Sequence, residues 1–371
     1  MAVYKLFPEK DATLYSLYPR ANTGIDEIIE ATITPSANQV LVTTPQASRF
    51  AIQFSQQELL NLSESFLSAP TVFSASLRTF AANVTNINQT TILDVLAITG
   101  SWNNGTGKYG DIPATTNGVS WLYRSADGID PWITSSFPAG VTGSFTQNSR
   151  GGGNWLTNTL YNQSQSFEYS NPVDVNVDVT QTVQAWLNGS IDNDGFLLKQ
   201  RTEFIDSSSY AAILKFFSID TNTIYPPCLE FKWRDYIFAT GSNTNPIIDR
   251  DNIYISLQNN QGVFKQGSIN KFRLNVRPKF PTRVFQVAPI YTNNYYLPTS
   301  SFYAIQDVDT NEYIVDFDDT FTQVSADDHS SYFTLYLNGF EPERYYKVLI
   351  KTQVAGNTYI IDEGQYFKVS K

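Results

Sequence analysis

The side chains that most often carry chemistry are scarce in this chain. His329 is the only histidine and Cys228 the only cysteine among 371 residues. A Ser-His-Asp arrangement would have to run through His329, which sits in the polar run Ala326–Ser331, a turn composition. No Gly-x-Ser-x-Gly elbow is present, since Gly118-Val119-Ser120-Trp121-Leu122 fails at its last position. One histidine and one cysteine exclude an intrachain disulfide, a cysteine metal cluster and a multi-histidine zinc site. Cys228 follows a Pro-Pro turn in a strand-like segment and is expected to be an inert buried thiol. Gly105-Thr106-Gly107-Lys108 has a phosphate-loop look, but Trp102 stands where that loop needs glycine and Tyr109 where it needs Ser or Thr. No catalytic residue and no cofactor follow from these patterns.

Two acidic runs could ligate calcium, which prefers carboxylate and carbonyl oxygens. Asp192-Asn193-Asp194-Gly195 lacks the downstream glutamate of an EF-hand loop and reads as a hairpin turn. Asp316, Asp318 and Asp319 read as a solvated turn. Nothing marks the paired carboxylates of a glycoside hydrolase. The remaining candidates are aromatic. Trp102, Tyr109, Trp121 and Trp155 lie in Gly/Asn/Ser/Thr-rich sequence and could stack on sugar rings, or contact a partner, through an apolar face and a polar edge. The preferred reading makes Trp102, Trp121, Trp132 and Trp155 the private core of an insertion that covers one sheet.

The elements that must position these residues are β-strands. Segments such as Ile28–Ile33, Arg49–Phe54, Phe73–Phe80, Thr91–Ile98 and Cys228–Trp233 are rich in β-branched and aromatic residues. Helix is expected only at Gln56–Leu62, with Ser55 to cap, and at Val179–Leu187. In the latter, Val179, Val183, Trp186 and Leu187 form one buried face. Asp178 or Thr180 is expected to cap its start, Trp186 to be buried against a sheet, and Asn188-Gly189 to end it. About 99–166 reads as a long loop insertion. Residues 1–235 are expected to form one β-sandwich, 236–250 a linker, and 251–371 an immunoglobulin-like sandwich of short strands, including Thr282–Gln286, without the Cys…Trp…Cys hallmark.

Composition narrows the partners. Asp and Glu number 35 against 25 Lys and Arg, a net charge of −10 with no basic cluster, which disfavours nucleic acid and anionic membranes. No window approaches the apolar length of a transmembrane helix, and the N-terminus lacks the pattern of a signal peptide.

Residues 10–235 resemble the DNRLRE-type β-sandwich domain, a jelly-roll-like module of carbohydrate-binding and surface proteins. Carrying the resemblance are Lys10-Asp11-Ala12-Thr13-Leu14 with Asn22-Thr23-Gly24, Ser48–Phe54, Ala75-Ser76-Leu77-Arg78, Trp102–Gly107, and Val177-Asp178-Val179-Thr180 through Trp186-Leu187-Asn188-Gly189. The chain as a whole, its first thirty residues especially, resembles virion structural proteins of tailed, T4-like bacteriophages of the cyanophage type. The resemblance implies an all-β fold, a jelly-roll-like sandwich followed by an immunoglobulin-like one, with no catalytic set. It implies a virion component, assembled in the host bacterial cytoplasm and placed at the neck, tail, baseplate or capsid surface. Its partners would be other virion proteins, in a homo-oligomer or symmetric ring. The alternative it leaves is an adhesin module contacting host surface glycan.

Overall fold

The computed structural model describes residues 2–34, 46–66, 73–87, 91–133, 136–144, 151–168, 173–203, 212–243, 245–249, 252–258, 260–280 and 294–371. The chain is all-β with two short helices among these residues. It divides into two compact units, one drawn mostly from Leu6–Glu230 and the other from Phe231–Lys371 joined by the first residues of the chain.

In chain order the first part contains β1 (Ala2–Leu6), β2 (Pro8–Tyr15), β3 (Ile28–Thr34), β4 (Gln46–Phe54), α1 (Gln56–Phe66), β5 (Phe73–Thr79), β6 (Ala81–Thr85) and β7 (Thr91–Ala97). There follow β8 (Val141–Ser144), β9 (Gly151–Leu156), β10 (Gln163–Phe167), β11 (Val175–Asp178), α2 (Thr180–Leu187), β12 (Phe196–Gln200), β13 (Ile213–Phe217) and β14 (Cys228–Trp233). One sheet runs β10-β7-β12-β4-β3-β13-β6, with β2 also paired to β4; β14, β5 and β11 are neighbours in a second. These make the jelly-roll-like sandwich.

Alternation along β4 explains why that sheet is buried on both sides. Phe50, Ile52 and Phe54 fall on one face, and Phe50 meets Phe216 of β13 with ring centroids 5.7 Å apart. Ala47 and Ala51 fall on the other, in a single cluster with Ala12, Leu14, Leu96 and Leu197 of neighbouring strands and with Trp102, Trp121 and Trp132 of the insertion. Trp155 packs against the same cluster. The insertion is therefore a lid with its own tryptophan core, as the preferred reading had it.

It is not all loop, however. The expectation of irregular chain over 99–166 missed the antiparallel β8–β9 hairpin and β10. Three consecutive glycines hid β9, because glycine ordinarily weakens a strand. Here they are required: a Cβ on Gly152 would come within 2.8 Å of both the Arg49 guanidinium and the Trp121 ring, and one on Gly153 within 2.9 Å of Leu197.

Helix α2 buries Thr182, Val183, Ala185 and Trp186, with Val179 just before it; Leu187, expected on the same face, is only half-buried. Trp186 is 2% exposed and meets Phe196 of β12 with ring centroids 4.7 Å apart. The expected cap needs correcting. The N-cap is Val179 and no side chain caps from it. Asp178, one residue further out, accepts from the Thr180 N–H at 2.9 Å and from the Thr180 hydroxyl at 2.5 Å, while that hydroxyl accepts from the Ala75 N–H of β5. The C-terminus ends as expected, with Asn188 as C-cap and Gly189 at φ +71°.

The second unit holds β15 (Ile253–Gln258), β16 (Val263–Lys265), β17 (Ile269–Pro278), β18 (Ser301–Asp307), β19 (Tyr313–Val315), β20 (Ser325–Ala326), β21 (Ser331–Tyr336), β22 (Tyr345–Val354) and β23 (Asn357–Ser370). The sheets are β15-β17-β21-β20 and β16-β23-β22-β18-β19. This is the strand order of an immunoglobulin-like sandwich, ABED against GFC, with a parallel strand added beside G. Where such domains place a disulfide and a tryptophan, Phe272, Leu274, Tyr303, Phe333 and Val348 fill the core, and Tyr303 stacks on Phe333 at 4.2 Å. The Tyr346 hydroxyl, near the start of β22, donates to the Glu341 carbonyl at 2.9 Å, the tyrosine corner of that fold. The segment expected as a linker is bound to this unit: Ile248 is buried and its N–H donates to the Tyr296 carbonyl, and Ala239 pairs with Ala326. Thr282–Gln286 lies outside the described residues.

Candidate functional site

The sequence-chosen aromatics separate into three environments. Trp102 is 2% exposed; its indole N–H donates to the Asp194 carbonyl at 2.9 Å and Lys10 lies over its ring at 4.6 Å. Burial pulls the Lys10 amine below its usual range. Trp121, also 2% exposed, carries the Arg49 guanidinium at 4.7 Å from its centroid, and the same guanidinium lies 5.6 Å from the half-buried Trp155. Arg49 is itself fully buried and grips Glu203 with two bonds, at 3.0 and 2.7 Å, while Lys199 approaches Glu203 at 3.3 Å. A ring so covered has no free face for a sugar. The contact role held open for Trp102 and Trp121 thus gives way to the preferred structural one, and Trp155 belongs to the same assembly.

Two motif segments far apart in sequence meet at Asn22. Its amide donates to the carbonyls of Asn104 at 2.6 Å and Val119 at 2.8 Å, and its oxygen accepts from Gly107 N–H at 2.8 Å. Asn104 returns a bond to the Gly24 carbonyl at 2.6 Å. This explains the glycines of the Gly-Thr-Gly-Lys stretch as close backbone approaches rather than a phosphate cradle.

The acidic runs are likewise accounted for locally. Asp194 accepts from Gly100 N–H at 2.7 Å, Asn193 bonds the Phe54 carbonyl, and burial raises the Asp194 carboxyl above its usual range. Asp318 accepts from the Thr320 and Phe321 N–H groups, and Asp319 pairs with Lys351. Among the described residues no group of three or more His, Cys, Asp or Glu is arranged to hold a metal. His329 lies on an exposed turn beside Asp328.

Only Tyr109 remains available, being 55% exposed. It rims a pocket of about 230 Å³ with Tyr15, Leu17 and Tyr18, over a floor that includes Glu30, Thr32, Gln46, Ser48 and Lys215. Tyr109 lies 4.9 Å from Tyr15 and 5.8 Å, edge-on, from Tyr18, whose hydroxyl it also hydrogen-bonds. Burial lifts the Tyr15 phenol far above its ordinary value, helped by Glu30, to which it hydrogen-bonds. Glu30 also pairs with Lys215 at 2.9 Å. Both Asp26 carboxylate oxygens accept the Tyr109 backbone N–H, at 3.0 and 3.1 Å, and burial raises Asp26 above the usual carboxylate range. Sequence reading picked Tyr109 but not Tyr15, Tyr18, Glu30 or Lys215. Those come from strands and a turn that only the β2–β4 and β3–β13 pairings bring together.

No family model and no curated protein matches the chain. Solved structures that align with it include a DUF4785 family protein from Legionella pneumophila, at 9% identity over 98% of this chain and 66% of that one, with a TM-score of 0.19. A β-glucuronidase from Parabacteroides merdae aligns at 9% identity over 96% of this chain and 36% of that one, TM-score 0.17. The same enzyme with glycerol in its active site gives 9%, 99%, 35% and 0.18. The chain spans just under two thirds of the first and about a third of the glucuronidase. Superpositions this loose carry no argument about function.

Proposed function

We propose that this chain is a structural subunit of a tailed-bacteriophage virion, joined to neighbouring subunits through strand edges. The observation that supports it most is a pair of open edges in the N-terminal unit. Among the described residues β10 ends one sheet and β11 ends the other, and between them lies a polar groove of about 680 Å³. Edge strands carry unpaired N–H and C=O groups that another chain can complete. Here the lining is mostly polar, Gln163, Ser164, Gln165, Ser166, Asn176 and Asp178 with Asp174, Val177 and the cation Arg78 beside them, groups that stay solvated until a partner arrives. Gln165 already plays that part in miniature, donating to the Asp174 carbonyl and accepting from the Asn176 N–H, both at 2.8 Å. The burial of the insertion's tryptophans agrees with a rigid block, as does the absorption of Arg49, Glu203 and Asp194 into internal bonds. No helix among the described residues is long and apolar enough to cross a membrane. Mass spectrometry of purified virions is the direct test. The chain is expected among the particle proteins, and presence in infected lysate with absence from purified particles sinks the reading. Ser164→Pro, which removes an edge N–H donor, is expected to reduce incorporation while leaving the isolated chain folded.

A further inference from the structure

We propose that the pocket rimmed by Tyr15, Tyr18 and Tyr109 binds one hexopyranose ring of a glycan, independently of where the chain sits in a particle. Its volume, about 230 Å³, falls below the roughly 300–1,000 Å³ of pockets for drug-sized ligands and suits a single ring. Tyrosine supplies an apolar face with a polar edge, which matches the C–H face and hydroxyl rim of a pyranose. Glu30 and Lys215, paired at 2.9 Å, set carboxylate acceptors beside ammonium donors, the complement of two adjacent hydroxyls that each donate and accept. Because those two charges offset each other, the pocket favours a neutral ring over an ion.

An exposed aromatic is usually free to move, but Tyr109 is held from behind. Asp26 accepts its backbone N–H, and Asp111 accepts from Lys108 N–H at 2.9 Å and from the Thr115 hydroxyl at 2.9 Å. Tyr15 and Tyr18 flank the ring. Such fixing lowers the entropy lost on binding. Among the described residues Glu30 is the one carboxylate lining the pocket, and the role proposed for the site is binding alone.

The test is saturation-transfer-difference NMR on the full chain with glucose, galactose, mannose and N-acetylglucosamine, then with purified host lipopolysaccharide. Transfer to ring C–H protons of at least one hexose is expected, with the millimolar affinity proper to so small a ligand. Tyr109→Ala should weaken it tenfold or more, Glu30→Gln should weaken it, and Tyr109→Phe, which keeps the ring, should retain most of it. Tyr366→Ala, at an exposed tyrosine of the other unit, should change nothing. Far-UV circular dichroism confirms that each variant is folded; if Tyr109→Ala is not, Tyr18→Ala takes its place. Silence with all four sugars overturns the proposal, as does transfer that persists undiminished in the folded tyrosine variants. Lipopolysaccharide binding that survives Tyr109→Ala places that glycan elsewhere and overturns the pocket. Presence or absence of the chain in purified virions leaves this outcome unaffected.

Discussion

The two units treat their carboxylates in opposite ways. In the N-terminal unit Asp11, Asp26, Asp194 and Asp220 are all pushed upward, burial being the largest cause in each. In the C-terminal unit Asp307 and Asp327 are pulled down, bonded by Arg344 and Arg273 and by N–H groups of their own turns, and Asp362 is pulled down by Lys347. Asp111 and Glu341 run against their units, the first held by Lys108 N–H and the second raised by burial. The difference follows from the donors each carboxylate meets. In the first group no guanidinium or ammonium hydrogen bond is among the causes, and the cost of desolvation wins. In the second a guanidinium or ammonium bonds the carboxylate directly, and does so even at Asp307, which is buried.

Removing the N-terminal unit's main anchor gives the largest expected effect. Trp186→Ala should cost about 3–5 kcal/mol, the range for a buried aromatic in a packed core. Denaturant unfolding followed by circular dichroism should show the transition of that unit alone moving. A mutant with unchanged midpoints would mean that Trp186 is not an anchor.

Acid should then separate the units. The Asp11 carboxyl is raised to about 7 by burial, against about 4 when unfolded. Its contribution is therefore complete below about pH 4 and lost as pH climbs through about 7. Asp11→Asn should stabilise the N-terminal unit by about 2–4 kcal/mol at about pH 8 and by almost nothing at about pH 4. Asp327 has the opposite sign. Its folded value is depressed, so its contribution is present above the unfolded value of about 4 and lost as pH falls further. Urea midpoints measured from about pH 8 to about pH 3 should rise for one unit and then fall for the other, and parallel curves would break the contrast. The smallest effect is expected at the tyrosine corner, where Tyr346→Phe removes one hydrogen bond and should cost about 1 kcal/mol in the C-terminal unit only, again read by urea unfolding.

Legibility in the sequence followed the same divide. The C-terminal strands alternate and are punctuated by turns, so Ile269–Val276 and Tyr345–Thr352 were foreseeable nearly to the residue, as was Cys228–Trp233 at the junction. Even the corner could have been seen, since Glu341-Pro-Glu-Arg-Tyr-Tyr346-Lys-Val348 carries a tyrosine two residues before a core position. In the N-terminal unit, the tryptophans announced a private core, but their partners did not announce themselves. Nothing local marks Arg49 as buried, because its carboxylate lies 154 residues away and its nearest cover is a run of glycines. Of the two residues expected to cap α2, Asp178 accepts the first helical N–H from just outside the N-cap, whereas the Thr180 hydroxyl is taken up by Asp178 and by strand β5. The pocket around Tyr109 needs the β2–β4 and β3–β13 pairings to assemble, and composition registers neither.

The strand Ala2–Leu6 has a consequence for synthesis. Val3 lies in the core of the C-terminal sandwich, and the Asn338 amide donates to the Lys5 carbonyl across 333 residues of chain. At roughly 5–20 residues per second, the ribosome delivers Asn338 some 15–70 s after Lys5. During that interval the leading strand waits for its core, its sheet neighbour Cys228–Trp233 arriving part-way through. A bulky fusion on the leading end would therefore register as a fault in the sandwich that is completed last.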